Sequence, residues 1–457
     1  MDIGFSSTAE LAAAIAQRKI SAIEALDAQL AQIDRHNGAV NAVVILDREQ
    51  AQARALLADA AQARGDTLGP LHGVPFTLKD AHETAGMRTT VGFPPFAGYR
   101  ARQDSPVVER LKAAGAILVG KTNVATMLGD WQSDNPLFGR TSNPWDPSRT
   151  AGGSSGGAAA AIATGMTPFE VGTDMQDSIR LPAAFCGVYG LKPTEHRVSL
   201  AGAFPAPGAL PRSVRLMSCV GPLARNIEDL ALIYRIIAGP DRADTDLAPV
   251  PVEPMPKLEL KSLRIAVAES FPGFPVATEI RAAVESLAAQ LASAGAVVEK
   301  AKLPKLDLRD DLAEGGKLIG MMLEAAQPEP PEQPTPVSRW FAALARRDRS
   351  ILAWERFFDS CDALLCPVAM TTAFPHCKPG SPLKVDGKEE SYWMLPAYGA
   401  VFNYSSHPAL AFPCRQDRDG SPIGLQLAGR KWSEARLLGI AAAIAPLTGG
   451  FRRPPGY

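Results

Sequence analysis

Through the first sixty residues apolar positions recur every three or four, the spacing of an amphipathic helix. Ser7 or Thr8 can cap one such segment, which runs through Gln17, and Ser21 another, which runs through Asp34. Asn41–Leu46 is a short β-like run, and the alanine-rich stretch Asp47–Arg64 reads as a helix. The texture changes at Gly69. From there to about Thr194, short apolar runs alternate with glycine-rich turns and helical segments, as at Val74–Leu78, Ala116–Gly120, Ala158–Gly165 and Phe169–Gly172. Strands alternating with helices predict an α/β sheet protein. Pro240–Lys257, rich in Pro and Asp, reads as a surface connection. It is followed by a strand at Leu263–Val267, a helix at Ala277–Ala294 and a strand at Ala296–Val298. Gln327–Pro336 holds five prolines and is a loop. A helix over Val337–Asp359 then leads into a strand at Ala363–Cys366, and Leu425–Leu427 with a helix at Ser433–Ile444 closes the pattern. No internal repeat is visible, and no boundary is sharp enough to separate two domains. The expectation is one large domain, 1–457, with an N-terminal helical segment of about 1–65 packed on it.

Composition narrows the class. With 457 residues, 46% of them hydrophobic and 21% charged, the chain suits a globular protein with a sizeable core. A formal net charge of -1 argues against nucleic acid or an anionic membrane as partner. Cys186, Cys219, Cys361, Cys366, Cys377 and Cys414 form no CxxC pair and read as mostly buried thiols. Met1–Ile20 has no basic start followed by an apolar run, and no other segment is a long uncharged apolar stretch. A cytoplasmic enzyme is the expectation.

Candidate chemistry centres on Thr150-Ala151-Gly152-Gly153-Ser154-Ser155-Gly156-Gly157, which runs into alanines. A flexible linker would have this composition, but Ala158–Gly165 continues as an apolar helix-like run. A phosphate-binding loop would end in the lysine and hydroxyl that are missing here. A structural glycine turn, allowing close packing of strand and helix, remains open when the motif is taken alone. Two further stretches change the balance. Lys79 ends the apolar run His72-Gly73-Val74-Pro75-Phe76-Thr77-Leu78-Lys79-Asp80, where a lysine can enter a dry pocket. Gly172-Thr173-Asp174-Met175-Gln176-Asp177-Ser178-Ile179-Arg180 follows the serine turn.

Lys79, Ser154 and Ser178, with their flanks, resemble the Ser-cisSer-Lys triad of the amidase signature family. The resemblance extends through Ala113–Asn123, Phe138–Asp146 and Phe185–Thr194, and then through Asp362–Pro367, Asn403 with His407-Pro408-Ala409, and Ile423–Gly429. It is weakest over roughly the first 60 residues and over 300–350. It implies the family's fold, a single large α/β domain with a central mixed β-sheet flanked by helices. It also implies a hydrolase acting on a C–N bond through an acyl-enzyme on Ser178. Ser154, after a cis peptide bond, would bridge Ser178 and Lys79. Backbone amides of Met175, Gln176, Asp177 and Ser178 would hold the oxyanion. Ser155 would support the turn, and Asp174 with Arg180 would brace the loop. No cofactor and no metal are implied.

The chemistry fits these residue types. A serine hydroxyl needs a group to accept its proton. A lysine can do so when neutral, and burial lowers its reference pKa of about 10.4. Lys79 is therefore expected to be buried and mostly neutral. Gln176 and Asp177 depart from the two glycines usual in the family at these positions. Backbone amides survive that change, but Gln and Asp take positive φ less easily, and a carboxylate there would oppose the oxyanion unless it pointed away or were paired. Thr194-Glu195-His196 and Thr126 are smaller departures, near the site in the family's order, and suggest altered recognition. Met127, Leu128 and Trp131, with Met321, Met322, Trp340, Trp393 and Met394, would build a mainly apolar pocket from the loops around 127–135 and from the 310–350 and 392–404 regions. The expected substrate is a small or medium amide, an aryl amide or carbamate among the candidates, and a homodimer is compatible with the reading. Two alternatives stay open: a glutamine-dependent amidotransferase subunit, and a catalytically weak ligand-binding relative.

Overall fold

Two capping boxes start the chain's first long helices. In the computed structural model, which describes residues 2–205, 214–327, 329 and 331–457, Ser7 and Ser21 each accept from the amide three residues on, and Glu10 and Glu24 reach back to the cap amides. The second helix, Ala22–Val40, runs past Asp34 because Ile33, His36 and Val40 continue its buried face. Asp47 caps Arg48–Arg64, which stops at Gly65 with φ +82.

The apolar runs pair into one large sheet and one small one. The large sheet has eight strands in the order Val297–Lys300, Arg264–Val267, Ala363–Pro367, Pro422–Ala428, Ala409–Gln416, Tyr189–Lys192, Cys219–Ala224 and Phe169–Asp174. Its first three strands are mutually parallel and the remaining pairings are antiparallel, so the sheet is mixed. Ala363–Pro367, Pro422–Ala428 and Cys219–Ala224 are buried along their whole length. That explains the continuous apolar run at Ala363–Cys366. Helices flank the sheet, giving the expected α/β domain.

The strand that carries Lys79 lies outside the large sheet. Pro75–Lys79 pairs in parallel with Ile117–Thr122, which pairs antiparallel with Val43–Leu46. This three-stranded sheet abuts the edge strand Phe169–Asp174 through side chains. The Thr77 amide donates to Thr167 Oγ1 at 3.0 Å, Thr77 Oγ1 donates to Glu170 Oε1 at 2.5 Å, and Phe76 stacks on Phe169 at 4.9 Å. With that amide committed to a hydroxyl, it donates no ladder bond to the edge strand. The seam brings the end of the Lys79 strand beside the end of the Asp174 strand.

Three elements around the site escape the hydrophobic pattern. The helix Leu308–Ala325 contains Gly315, Gly316 and Gly320, which weaken its helical signal. The helix Ala397–Tyr404 is buried on every face, so it shows no amphipathic period. The strand Ala409–Gln416 holds Pro413 at a register shift. Of the proline-rich stretch, Pro328 and Pro330 lie outside the described residues, and 331–336 is irregular. All six cysteines are free thiols. Among the described residues no helix is long and apolar enough to cross a membrane.

Candidate active site

Ser154 stands on a turn that only glycine can build. A Cβ on Gly153 would fall 2.4 Å from the Asp130 carbonyl oxygen and 2.7 Å from the Gln132 nitrogen. The Gly153–Ser154 peptide is cis. Ser133 clasps the turn: its hydroxyl donates to Gly152 O at 3.0 Å and accepts from Gly156 N at 2.8 Å. Gly156 opens the buried helix Gly156–Ala163, into which the alanine run continues.

Lys79 meets the turn from its strand end. Its Nζ lies 2.8 Å from Ser154 Oγ, 2.7 Å from Ser155 Oγ, 2.8 Å from Thr173 Oγ1 and 3.3 Å from Thr173 O. No carboxylate is among these partners. Hydroxyls both donate and accept, so the shell serves a neutral amine as well as an ammonium. Burial pulls the lysine down to about 7, against the opposing pull of Asp174 and Glu170. At neutral pH a large share of Lys79 is therefore able to accept a proton. Ser155 also joins the turn to the next segment, its amide donating to Ser178 O at 3.2 Å. Ser178 is buried but retains slight exposure, unlike Lys79, which has none.

Asp174 organises the loop that presents Ser178. Its Oδ1 accepts from the Asp177 amide at 2.8 Å, Asn403 Nδ2 at 2.9 Å and Arg180 Nη2 at 3.1 Å. Its Oδ2 accepts from the Ile179 amide and Arg180 Nε, both at 3.1 Å. Burial alone would raise this carboxyl; the Arg180 guanidinium and the hydrogen bonds outweigh it and hold it well below the usual carboxylate range. The Asp177 amide is thus already engaged. Among the described residues no acceptor is recorded for the amides of Met175, Gln176 and Ser178, which leaves them as open donors.

Asp177 takes φ +88, the conformation a glycine would adopt without strain. Its side chain is fully buried and directed at Gly399. Burial pushes its carboxyl well above the usual range, and nearby Asp174 adds to this, while Arg180 opposes it. Burial therefore favours the neutral form of this acid in its place against Gly399.

The remaining predicted positions separate. Met127 and Leu128 both take left-handed φ, +53 and +59, and Met127 is exposed. Trp131 is buried with its backbone against Gly153, and its indole N–H has no acceptor among the described residues. Met321, Met322 and Trp340 lie on helices and pack with Met175, Met217, Leu318 and Tyr404 in one apolar cluster. Trp393 is exposed. Glu195 is buried in an ion pair with Arg347 and also accepts from Ser406 Oγ at 2.6 Å, so it anchors the helix Val337–Phe357.

Thr173, Asn403 and Gly399 are site residues that the motif reading passed over. Thr173 stood inside the quoted motif; its two contacts to Lys79 follow from its position one residue before Asp174 on the strand. Asn403 was visible as part of a C-terminal block, but its contact with Asp174 spans 229 residues, and no local pattern reports it.

Comparisons with known proteins identify the family. The family model described as Amidase matches residues 24–327 and 329–438. The chain is 34% identical to a glutamyl-tRNA(Gln) amidotransferase subunit from Moorella thermoacetica, over 100% of this chain and 99% of that protein. It is 32% identical to an acylamidase of Rhodococcus erythropolis, over 95% of this chain and 94% of that protein. It also superposes, with a TM-score of 0.85 and 31% identity, on a solved chain from a vestigial protein complex that reveals the evolutionary origins of an s-triazine catabolic enzyme. That alignment covers 98% of this chain and 100% of the other. On this match of sequence and fold, the chain belongs to the amidase signature family.

Proposed function

We propose that the protein is a cytoplasmic amidohydrolase that cleaves the C–N bond of a small or medium amide through an acyl-enzyme on Ser178. The carrying observation is the Lys79 amine, buried within 2.8 Å of Ser154 and, among the described residues, hydrogen-bonded to no carboxylate. Ser178 Oγ attacks the acyl carbon, its proton passes to Ser154, and the Ser154 proton passes to Lys79. The C–N bond then breaks, and the proton returns along the same path to the departing amine. Water enters by the same relay and releases the acid, restoring Ser178. The open amides of Met175, Gln176 and Ser178 are the donors for the oxyanion, each typically contributing about 3 kcal/mol in the transition state. The amide of Asp177 is held by Asp174 and serves the shape of the loop.

The apolar cluster that begins at Met175 supports an apolar or aromatic group beside the scissile bond, and so an aryl amide or carbamate among the candidate substrates. Met127, Leu128 and Trp131 are proposed as the opposite wall. The chain would act alone or as a homodimer. A second reading, release of ammonia from glutamine for a partner enzyme, is favoured by the identity to amidotransferase subunits. A hydrolysis panel of aliphatic amides, anilides, carbamates, ureas and glutamine, with Ser178→Ala as blank, separates the two. Anilide or carbamate turnover by the isolated chain supports the first. Turnover of glutamine alone, together with copurification of a stoichiometric partner, supports the second.

A further inference from the structure

The helix Ala397–Tyr404 meets the loop before Ser178 at two positions one turn apart. Asn403 is the first. Its Nδ2 reaches Asp174 O at 3.1 Å, Asp174 Oδ1 at 2.9 Å and Met217 O at 3.1 Å, and its Oδ1 accepts from Arg180 Nη2 at 2.6 Å. Gly399 is the second. Its carbonyl accepts from Arg180 Nη1 at 2.9 Å. Its missing side chain leaves a hollow, and the Asp177 side chain fills it. A Cβ at 399 would fall 2.0 Å from Asp177 Oδ1, 2.1 Å from its Cγ and 2.6 Å from its Cβ.

Asp177 gains little there as a charge. Neither carboxyl oxygen has a hydrogen-bond donor among the described residues. Arg180 Nε stands 3.4 Å from Oδ1 but already donates to Asp174. The other Arg180 nitrogens donate to Asp174, Asn403, Gly399 O and Gln426 Oε1, so the guanidinium has its partners without Asp177. What Asp177 contributes is its volume in the hollow and, with φ +88, a defined turn of backbone directly before Ser178.

We propose that Asp177 is a positioning residue: its side chain, seated in the hollow at Gly399, sets the distance between the helix Ala397–Tyr404 and the loop, and thereby the aim of the amides of Gln176 and Ser178. This rests on the reading of Ser178 as nucleophile. Positions 177 and 399 are then coupled. A methyl group at 399 forces the Asp177 side chain out and turns the loop, whereas removing that side chain makes room for the methyl.

The experiment is a double-mutant cycle read by the rate at which a tagged fluorophosphonate labels Ser178, with the adduct placed by peptide mass spectrometry and folding checked by thermal melts. Gly399→Ala is expected to slow labelling by about a hundredfold, the usual cost of a displacement of about 1 Å at a reacting centre. Adding Asp177→Gly to Gly399→Ala is expected to recover at least about tenfold of that loss. A Gly399→Ala rate within about threefold of the parent overturns the proposal, and so does a double variant no faster than Gly399→Ala alone. Should Gly399→Ala not fold, Asp177→Asn and Asp177→Glu test the same fit. Asn preserves the shape and should keep at least about a third of the parent rate, while Glu, longer by a methylene, should lose at least about tenfold. Equal rates for the two overturn the proposal. If the parent and Ser178→Ala are labelled alike, the nucleophile reading fails instead; if labelling is specific to Ser178 and the two positions act additively, only the coupling fails.

Discussion

Asp174 and Asp177 are three residues apart in one loop, both buried, and their carboxyls are pushed in opposite directions. Asp174 accepts five hydrogen bonds, two of them from Arg180, and stays ionised. Asp177 accepts none among the described residues and is driven toward its neutral form. Burial is common to both, so the donors decide the difference. Burial also draws down two lysines nearby, against the pull of neighbouring carboxylates. Lys121 bonds the His82 carbonyl, and burial takes it to about 8 while Asp80 and Glu170 hold it up. Lys79, bonded to three hydroxyls and one carbonyl, falls to about 7. Of the two carboxyls, the one with a full set of donors is favoured as the anion and the one without donors as the neutral acid.

Breaking the neutral side of the contrast should have the largest effect. Lys79→Ala removes the proton acceptor and is expected to lower kcat by about 10^2–10^4-fold, the usual range for a lost general base. In the parent the acid limb of kcat/KM should rise through a single ionisation near 7, because only the neutral amine accepts the proton. The stability effect has a definite sign. The folded value lies below the unfolded value of about 10.4, so between the two the unfolded chain binds more protons and stability rises with pH. Lys79→Met should therefore raise the melting temperature most below pH 7, with the gain shrinking toward pH 10.

Breaking the charged side comes next. Asp174→Ala leaves Arg180 buried beside missing partners and frees the amides of Asp177 and Ile179. It is expected to cost about 3–5 kcal/mol in urea unfolding, as removing one member of a buried pair does. Ser155→Ala removes one of the three hydroxyls on Lys79 while Ser154 stays, and a loss of about tenfold in kcat with little change in KM is expected.

Asp177→Asn should do least to the rate and most to sharpen the comparison. A carboxyl raised in the folded state contributes its full stability below the unfolded value of about 3.9, and loses it as pH rises through the folded value. The melting temperature of Asp177→Asn relative to the parent should therefore grow from pH 4 to pH 8. A flat difference would mean that Asp177 is ionised in the fold.

The sequence exposes these groups unevenly. Lys79, Ser154 and Ser178 announce themselves because each sits in a local motif with glycine or apolar flanks. The buried central strands show as unbroken apolar runs for a related reason, since both of their faces are covered. Asp177 was visible as an anomaly, but whether its carboxyl repels or retires depends on Gly399, far along the chain. The separate sheet of Lys79 was likewise hidden, since the seam beside it is made by side chains far apart in the chain, Thr77 with Thr167 and Glu170 and Phe76 with Phe169. Glycines lower the helical propensity of Leu308–Ala325, and Ala397–Tyr404, buried all round, shows no amphipathic period although it supports the site. Local chemistry was legible; the long-range contacts that tune it were not.

The most direct test of the account is the pH dependence of fluorophosphonate labelling, measured by intact mass and peptide mapping on the parent and on Lys79→Ala. The account predicts a single adduct on Ser178, forming at a rate that rises through one ionisation near 7 and falls by about 10^2-fold or more in Lys79→Ala. An adduct on another residue, no adduct, or an unchanged rate in Lys79→Ala would contradict it.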